Sequence, residues 1–271
     1  MAYGRIDSDG IKRDWLGRPL IPRTEDGKEV PYTRVSTMAK ALSDSTALTK
    51  WKMRQVMLGL VQRPDLALLV SSHHDDKKEL DRVAAAAMEA VSSSSGANTG
   101  TGIHKLIERL EAGEQIALPE QVQQTIGAYG MAMQDANVKV LANEQFVVVD
   151  ELQAAGTFDK LLQLPDGSIV IADIKTGSST PSYPLETAIQ MAIYSRGIVF
   201  DSKSKERTSV LRQLGVSQDI GVMIHLPQGE ANCTLYRMNL DLGWEAAQLA
   251  HKARWLNKSA TKKELITKGI E

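Results

Sequence analysis

Asp159, Asp173 and Lys175 are the residues of this chain whose types and spacing point most directly to chemistry. Gly156-Thr157-Phe158-Asp159 sits in an apolar-leaning run that Lys160 to Leu164 continue. Pro165-Asp166-Gly167-Ser168 supplies turn residues, and Ile169-Val170-Ile171-Ala172 opens a β-branched run leading into Asp173-Ile174-Lys175. The pattern predicts two adjacent antiparallel strands that bring Asp159 and Asp173 near each other on one sheet face. Asp173 and Lys175 share a face because strand side chains repeat every two residues. Two carboxylates and an ammonium then converge. Carboxylates can hold a divalent cation that neutralises phosphate charge, generates hydroxide near neutral pH and stabilises a leaving oxygen, the three needs of phosphodiester hydrolysis. Lys175 would hold or help activate the water. An Asp-x-Lys triplet by itself is more often the solvated end of a strand.

Three further signals surround this hairpin. Upstream, Gly100-Thr101-Gly102-Ile103-His104-Lys105-Leu106-Ile107-Glu108 follows a Ser/Gly-rich break. Its apolar residues recur at helical spacing, which puts His104 and Glu108 one turn apart on one face. A lone His on a helix is more often solvated or hydrogen-bonded than a ligand. Downstream, Pro184 opens a helix in which Gln190 and Tyr194 fall at i and i+4, where they could reach phosphates together. Taken alone, that pair marks the edge of the apolar stripe of Ile189, Ala192 and Ile193. The third signal is Glu144, in the strand-like run Val138 to Val149, whose plain reading is an exposed strand carboxylate.

In this order the pieces resemble the RecB-like branch of the PD-(D/E)xK nuclease superfamily, especially the small stand-alone nucleases of phages and CRISPR systems. That family's pattern is a Gly-Thr-x-x-His helix, an acidic strand residue, Gly-x-x-Asp, Asp/Glu-x-Lys and a Gln-x-x-x-Tyr helix. It is matched by Gly100 to His104, Glu144, Gly156 to Asp159, Asp173 to Lys175 and Gln190 to Tyr194, over about residues 99–196. Each motif is weak alone, and the ordered set is specific. Tyr32-Thr33-Arg34-Val35-Ser36-Thr37 followed by Leu48-Thr49-Lys50-Trp51 is loosely similar to the early region of phage members. The resemblance implies a restriction-endonuclease-like α/β core with a central mixed β-sheet flanked by helices. It implies His104, Asp159 and Asp173 as metal ligands, joined by the main-chain carbonyl of Ile174. Lys175 would orient the attacking water, and Gln190 and Tyr194 would steady Lys175 or the substrate phosphate. Glu144 would bind a second metal or its water. Glu151 and Glu108 are rival acids, although Glu151 reads as part of a turn between strands and Glu108 as a group orienting His104.

Oxygen ligands and bound phosphate suit Mg²⁺, whereas an imidazole ligand favours Mn²⁺, so both ions are expected to work. The CRISPR-associated relatives also carry an iron–sulfur cluster held by four cysteines. Cys233 is the only Cys here, so such a cluster within one subunit is excluded, as is a disulfide framework. Cys233 reads as a small strand residue between Asn232 and Thr234.

The chain has 271 residues and 42% hydrophobic content, enough for one sizeable domain with elaborations or a core plus a helical subdomain. Met1 to Trp15 contains no apolar leader-like run and no segment reads as a membrane span. A cytoplasmic location follows by elimination, the host cytoplasm if the source is a phage. With 32 basic and 33 acidic residues, global steering to nucleic acid is weak, and contacts must come from local patches. The candidates are Lys50, Lys52 and Arg54 around Trp51, then Arg207 and Arg212, then Lys252, Arg254, Lys258, Lys262, Lys263 and Lys268. Each also reads as a solvated face. Trp51 could stack on an unpaired base, but beside Met53, Val56, Met57 and Leu60 at helical spacing it is expected in a core.

Residues 1–36 suggest an irregular arm, and 37–92 a mainly helical region interrupted at Pro64. Ser92-Ser93-Ser94-Ser95-Gly96 reads as a loop that could gate access. The chain therefore divides into an arm with a helical cap region, 1–95, and a nuclease core with a C-terminal helix, 96–271. Beyond the Gln190/Tyr194 helix, Ser202 to Gln218 reads as a charged insertion, Ile220 to Leu226 and Thr234 to Leu240 as strands, and Leu242 to Leu256 as a closing amphipathic helix. His73-His74-Asp75-Asp76 reads as a solvated turn rather than a second metal site. No phosphate-binding Gly-rich loop occurs, which excludes an ATP-driven helicase–nuclease in this chain alone. The expected activity is metal-dependent DNA exonuclease action in recombination, repair or degradation. The substrate would be single-stranded DNA or a duplex with ends, and the protein partner a recombination or single-strand-binding protein. A structure-selective or nicking endonuclease on the same site, and a non-catalytic DNA-binding recombination partner, are the alternatives.

Overall fold

The computed structural model of the protein describes residues 5–7, 10–91, 95–177, 184–227 and 229–259. From the N-terminus, β1 (Arg5–Ile6) pairs with β2 (Lys12–Arg13), and β3 (Leu20–Pro22) with β4 (Glu29–Pro31). After β5 (Thr33–Arg34) come α1 (Val35–Ala39), α2 (Thr46–Gln62), α3 (Pro64–Ser72), α4 (Lys77–Ala90), α5 (Ser95–Glu111) and α6 (Glu120–Asp135). Three strands follow: β6 (Lys139–Val149), β7 (Ala154–Gln163) and β8 (Ile169–Lys175). The chain continues through α7 (Pro184–Ser195), β9 (Ile198–Phe200), β10 (Arg207–Thr208), α8 (Val210–Gln213), β11 (Ile220–His225), β12 (Thr234–Asn239) and α9 (Leu240–Ser259).

The main sheet has the order β10-β9-β6-β7-β8-β11-β12, with β5 laid parallel to the start of β7. β8 and β11 are parallel and the remaining neighbours antiparallel, so the sheet is mixed, as expected. Its β-branched runs are buried on both faces because helices cover both. On one face Val147, Phe158, Ile171 and Met223 pack against Ile189 and Ile193 of α7 and Ala247 and Ala250 of α9. On the other, Leu162, Val170, Ile174 and Ile224 meet Ile103 and Ile107 of α5 and Ile126 and Met133 of α6. Burying an Ile contributes roughly 1.5–3 kcal/mol, several times the helix-propensity differences between residues, so tertiary packing decides where α7 sits. Gly243 lets α9 reach α7, since a Cβ there would lie 2.4 Å from the Ala188 carbonyl oxygen.

Helices α2, α3 and α4 form a small group with its own core of Leu66, Val83 and Ala87. Asp76 caps α4 by accepting from the main-chain N–H groups of Lys78 and Glu79, at 3.0 and 3.2 Å. His73 to Asp76 are exposed, as a solvated turn should be.

Several sequence expectations need correction. The stretch 1–36 contains short paired strands, and Ile11, Ile21 and Tyr32 pack into the core beside Val148 and Phe200. Strands of two or three residues are too short for alternation to register. Ser95 and Gly96 are helical rather than loop, while 92–94 lie outside the described residues. The 202–218 stretch is no simple insertion: β10 pairs with β9, and Leu211 is buried. Cys233 precedes β12 instead of lying within a strand, with its thiol pushed up to about 11 by burial. Val56 and Leu60 pack against the small core of Leu66, Val83 and Ala87, but Trp51 at 37% exposure and Met53 at 61% stand outside it. No helix among the described residues is long and apolar enough to cross a membrane.

Candidate active site

The site forms where β7 loses a neighbour. One edge of β7 pairs with β6 along its whole length, with a register shift between Val140 and Ala142, but its other edge is divided. Ala154 and Ala155 pair with β5, Lys160 to Gln163 pair with β8, and Gly156 to Asp159 have no strand partner on that edge among the described residues. The β7–β8 ladder therefore ends just before Asp159, and its carboxylate takes over. Asp159 Oδ2 accepts the main-chain N–H of Ile174 at 2.8 Å.

The strand alternation breaks at the same level. Phe158 and Leu161 pack on the α7 side, yet Asp159 approaches His104 and Lys160 meets Glu111, both on α5. Across the ladder, between Asn143 and Gln145, Glu144 has a φ of 43°, in the left-handed region. Both strands thus step out of alternation together without losing register, a bulge-like kink that turns two successive β7 residues towards α5.

His104 Nδ1 lies 3.6 Å from Asp159 Oδ2. Asp173 comes from the α7 side, by alternation from Ile171 in one core and Ala172 and Ile174 in the other. Its Oδ2 is buried and makes no well-angled hydrogen bond, only an ion pair with Lys175 Nζ at 2.6 Å. The Asp159 and Asp173 carboxylates are therefore neighbours, as expected, but they approach the gap from opposite faces rather than one. Lys175 is fixed at the end of β8, where its carbonyl accepts the Leu226 N–H at 2.8 Å.

The electrostatics are those of crowded acids. Burial first, and then the Asp173 charge, hold the Asp159 carboxyl well above the usual carboxylate range. Burial lowers the His104 imidazole pKa, against the pull of Asp173. Burial disfavours the Lys175 ammonium, but Asp173 outweighs it and the pKa is raised. Beside them, the Glu108 carboxyl is pushed up to about 7 by burial and by the Glu144 charge. A cleft of about 300 Å³ opens here, lined by Gly100, Thr101, His104, Lys105, Glu108, Glu144 and Thr176. None of these lining residues comes from 37–92. Glu151 is exposed in the turn between β6 and β7.

Gln190 is half-buried and Tyr194 buried on α7, and neither hydrogen-bonds Lys175 among the described residues. Tyr194 packs instead on the α7-facing side of this unpaired stretch of β7. A Cβ on Gly156 would lie 3.1 Å from its hydroxyl oxygen, so Gly156 makes room for the phenol. Its ring stands 6.4 Å from that of Phe158, and burial raises its pKa.

Sequence reasoning missed a second set of residues. Lys160, 1% exposed, places Nζ 2.5 Å from Glu111 Oε2 and 2.9 Å from Asn143 Oδ1. Asn143 Nδ2 donates to Glu111 at 2.9 Å, and the Tyr129 hydroxyl donates to its other oxygen. This clamp ties α5, two turns beyond His104, to β6, β7 and α6. A Lys immediately after the Asp of Gly-x-x-Asp was its one available signal. Of the basic patches, Arg207 is structural: it is paired with Asp150 at 2.6 Å and donates to the Pro22 carbonyl at 2.8 Å. Lys262, Lys263 and Lys268 lie outside the described residues.

Among the described residues, no three His, Cys, Asp or Glu side chains already form a metal cage. The donor types nevertheless fit Mg²⁺ or Mn²⁺: an imidazole, two carboxylates and a buried Asp173 oxygen that lacks a hydrogen bond.

No protein-family model and no curated protein matches the chain. A solved structure titled "Crystal structure of SSO0001" is similar at 17% identity with a TM-score of 0.27, over 50% of this chain and 58% of that one. A likeness at that level carries no argument about fold or activity.

Proposed function

We propose that the protein is a metal-dependent deoxyribonuclease of the RecB-like PD-(D/E)xK type. The observation that supports the reading is the convergence of His104, Asp159, Asp173 and Lys175, from α5, β7 and β8, at one break in the sheet. His104, Asp159, Asp173 and the Ile174 carbonyl would hold Mg²⁺ or Mn²⁺, which would supply charge neutralisation at the phosphate and a more acidic bound water. Lys175 would turn from Asp173 to the attacking water and hold it in line with phosphorus. Asp159 keeps β8 in place through the Ile174 N–H, and the Glu111–Lys160 clamp holds the helix carrying His104. Tyr194 would support this stretch of β7 by packing against Gly156 and Phe158.

Exonuclease action rests on the family resemblance. Nicking or structure-selective endonuclease action is favoured by the cleft itself, to whose lining α2, α3 and α4 contribute no residue. Pure protein incubated with Mn²⁺ and either end-labelled linear or covalently closed DNA tests both. Progressive loss of linear DNA with intact circles supports the exonuclease, and rapid nicking of circles the endonuclease. No cleavage of either would overturn the nuclease and leave a DNA-binding protein.

A further inference from the structure

We infer that α2 is a docking surface for single-stranded nucleic acid. The inference deepens the nuclease reading and rests on it only for the strand's destination. Every residue from Asp44 to Arg54 is exposed, so the first turns of α2 stand free on all sides. Helices of this kind are normally polar all round. This one presents Leu48 at 43% exposure, Trp51 at 37% and Met53 at 61%.

Between these apolar groups stand Lys50, Lys52 and Arg54, none in an ion pair among the described residues. No Asp or Glu occurs from Thr46 to Arg63, although the whole chain carries a net charge of −1. Three unpaired cations interleaved with an aromatic and two flexible apolar side chains match the two needs of a single strand, phosphate neutralisation and a face for unstacked bases. An apolar protein partner would bury those cations without anions, at a desolvation cost. The position also suits a strand bound for the site. Ser43, just before α2, donates to Glu186 of α7, and Glu186 stands within electrostatic reach of Lys175. A groove of about 200 Å³ lined by Lys40, Ser43, Asp44, Ser45, Leu48 and Glu186 joins the two helices.

The test is fluorescence anisotropy of a labelled oligothymidylate in EDTA, so that binding is read without cleavage. Trp51→Ala should weaken binding about tenfold, the scale of one lost base–aromatic stack, and Trp51→Phe should retain most of it. The triple variant Lys50→Ala/Lys52→Ala/Arg54→Ala should make the slope of log K against log salt shallower by about 2, from three phosphates at roughly 0.7 each. A blunt duplex should be indifferent to Trp51→Ala. Absent oligothymidylate binding, or wild-type binding by the variants, overturns the docking surface, whether or not Mn²⁺-dependent cleavage persists. Loss of anionic-vesicle binding or self-association in Trp51→Ala, with strand binding intact, overturns it too. Strand binding that depends on α2 without any cleavage by the wild type would keep the surface and discard the nuclease.

Discussion

Replacing Lys160 with Met probes the clamp that carries His104. The substitution keeps the apolar stem and deletes an ammonium that is 1% exposed and bonded to Glu111 and Asn143. Breaking a buried ion pair costs about 3–5 kcal/mol when the surviving partner is stranded. Glu111 is not wholly stranded: it keeps donors in Asn143 and Tyr129, and its side chain is 18% exposed. The expected loss for Lys160→Met is therefore smaller, about 2–3 kcal/mol. Glu111→Leu reverses the situation, leaving Lys160 dry with Asn143 Oδ1 as its hydrogen-bond acceptor, and should cost about 3–5 kcal/mol. The double variant should lose less than the sum by about 2 kcal/mol, because neither charge is then left without the other. Urea unfolding midpoints of the four proteins measure this cycle. A loss below about 1 kcal/mol for Lys160→Met, or additivity within about 0.5 kcal/mol, would refute the clamp. Mn²⁺ affinity should also fall in Lys160→Met, although Lys160 is no ligand, because α5 loses its tie to β7.

Asp173→Ala and Lys175→Ala should both abolish cleavage while retaining the fold, with Mn²⁺ affinity falling mainly in Asp173→Ala; gel assays beside calorimetry check this, and wild-type rates would sink the site. His104→Ala should weaken Mn²⁺ binding and move residual activity to higher metal concentration; an unchanged titration would leave His104 outside the site. Gly156→Ala should cost about 1–3 kcal/mol in thermal stability by pushing Tyr194 away, since the new Cβ would lie 3.1 Å from its hydroxyl; a neutral result would mean the phenol has slack. Burial acts to raise the Asp14 pKa, but hydrogen bonds from the Arg18 main chain and guanidinium outweigh it, so the folded value is depressed. The advantage of wild type over Asp14→Asn should then be complete above the unfolded value of about 3.9 and be lost as pH falls through the folded one. Stability measured against pH checks the sign, and an advantage that grows on acidification would contradict it.

The sequence by itself determined the elements whose signal is local. β-branched runs and turn residues located β6, β7 and β8; Pro184 and the apolar stripe after it located α7; the interleaving of helices and strands set the α/β class. The order of Gly156, Asp159, Asp173 and Lys175 along one hairpin also brought the carboxylates close, because a short turn leaves few other pairings. What only the tertiary structure decided is where that regularity fails. A left-handed residue at Glu144 and the hand-over from β5 to β8 along β7 put Asp159 and Asp173 on opposite sides of the gap, where alternation alone placed them together. The same holds for Trp51 and Lys160, one apolar and exposed, the other charged and dry. Periodicity states which residues share a face. Whether that face is covered, and whether a charge on it finds a buried partner, depends on elements distant in the chain, here Glu111 for Lys160 and the absence, among the described residues, of any helix over the first turns of α2.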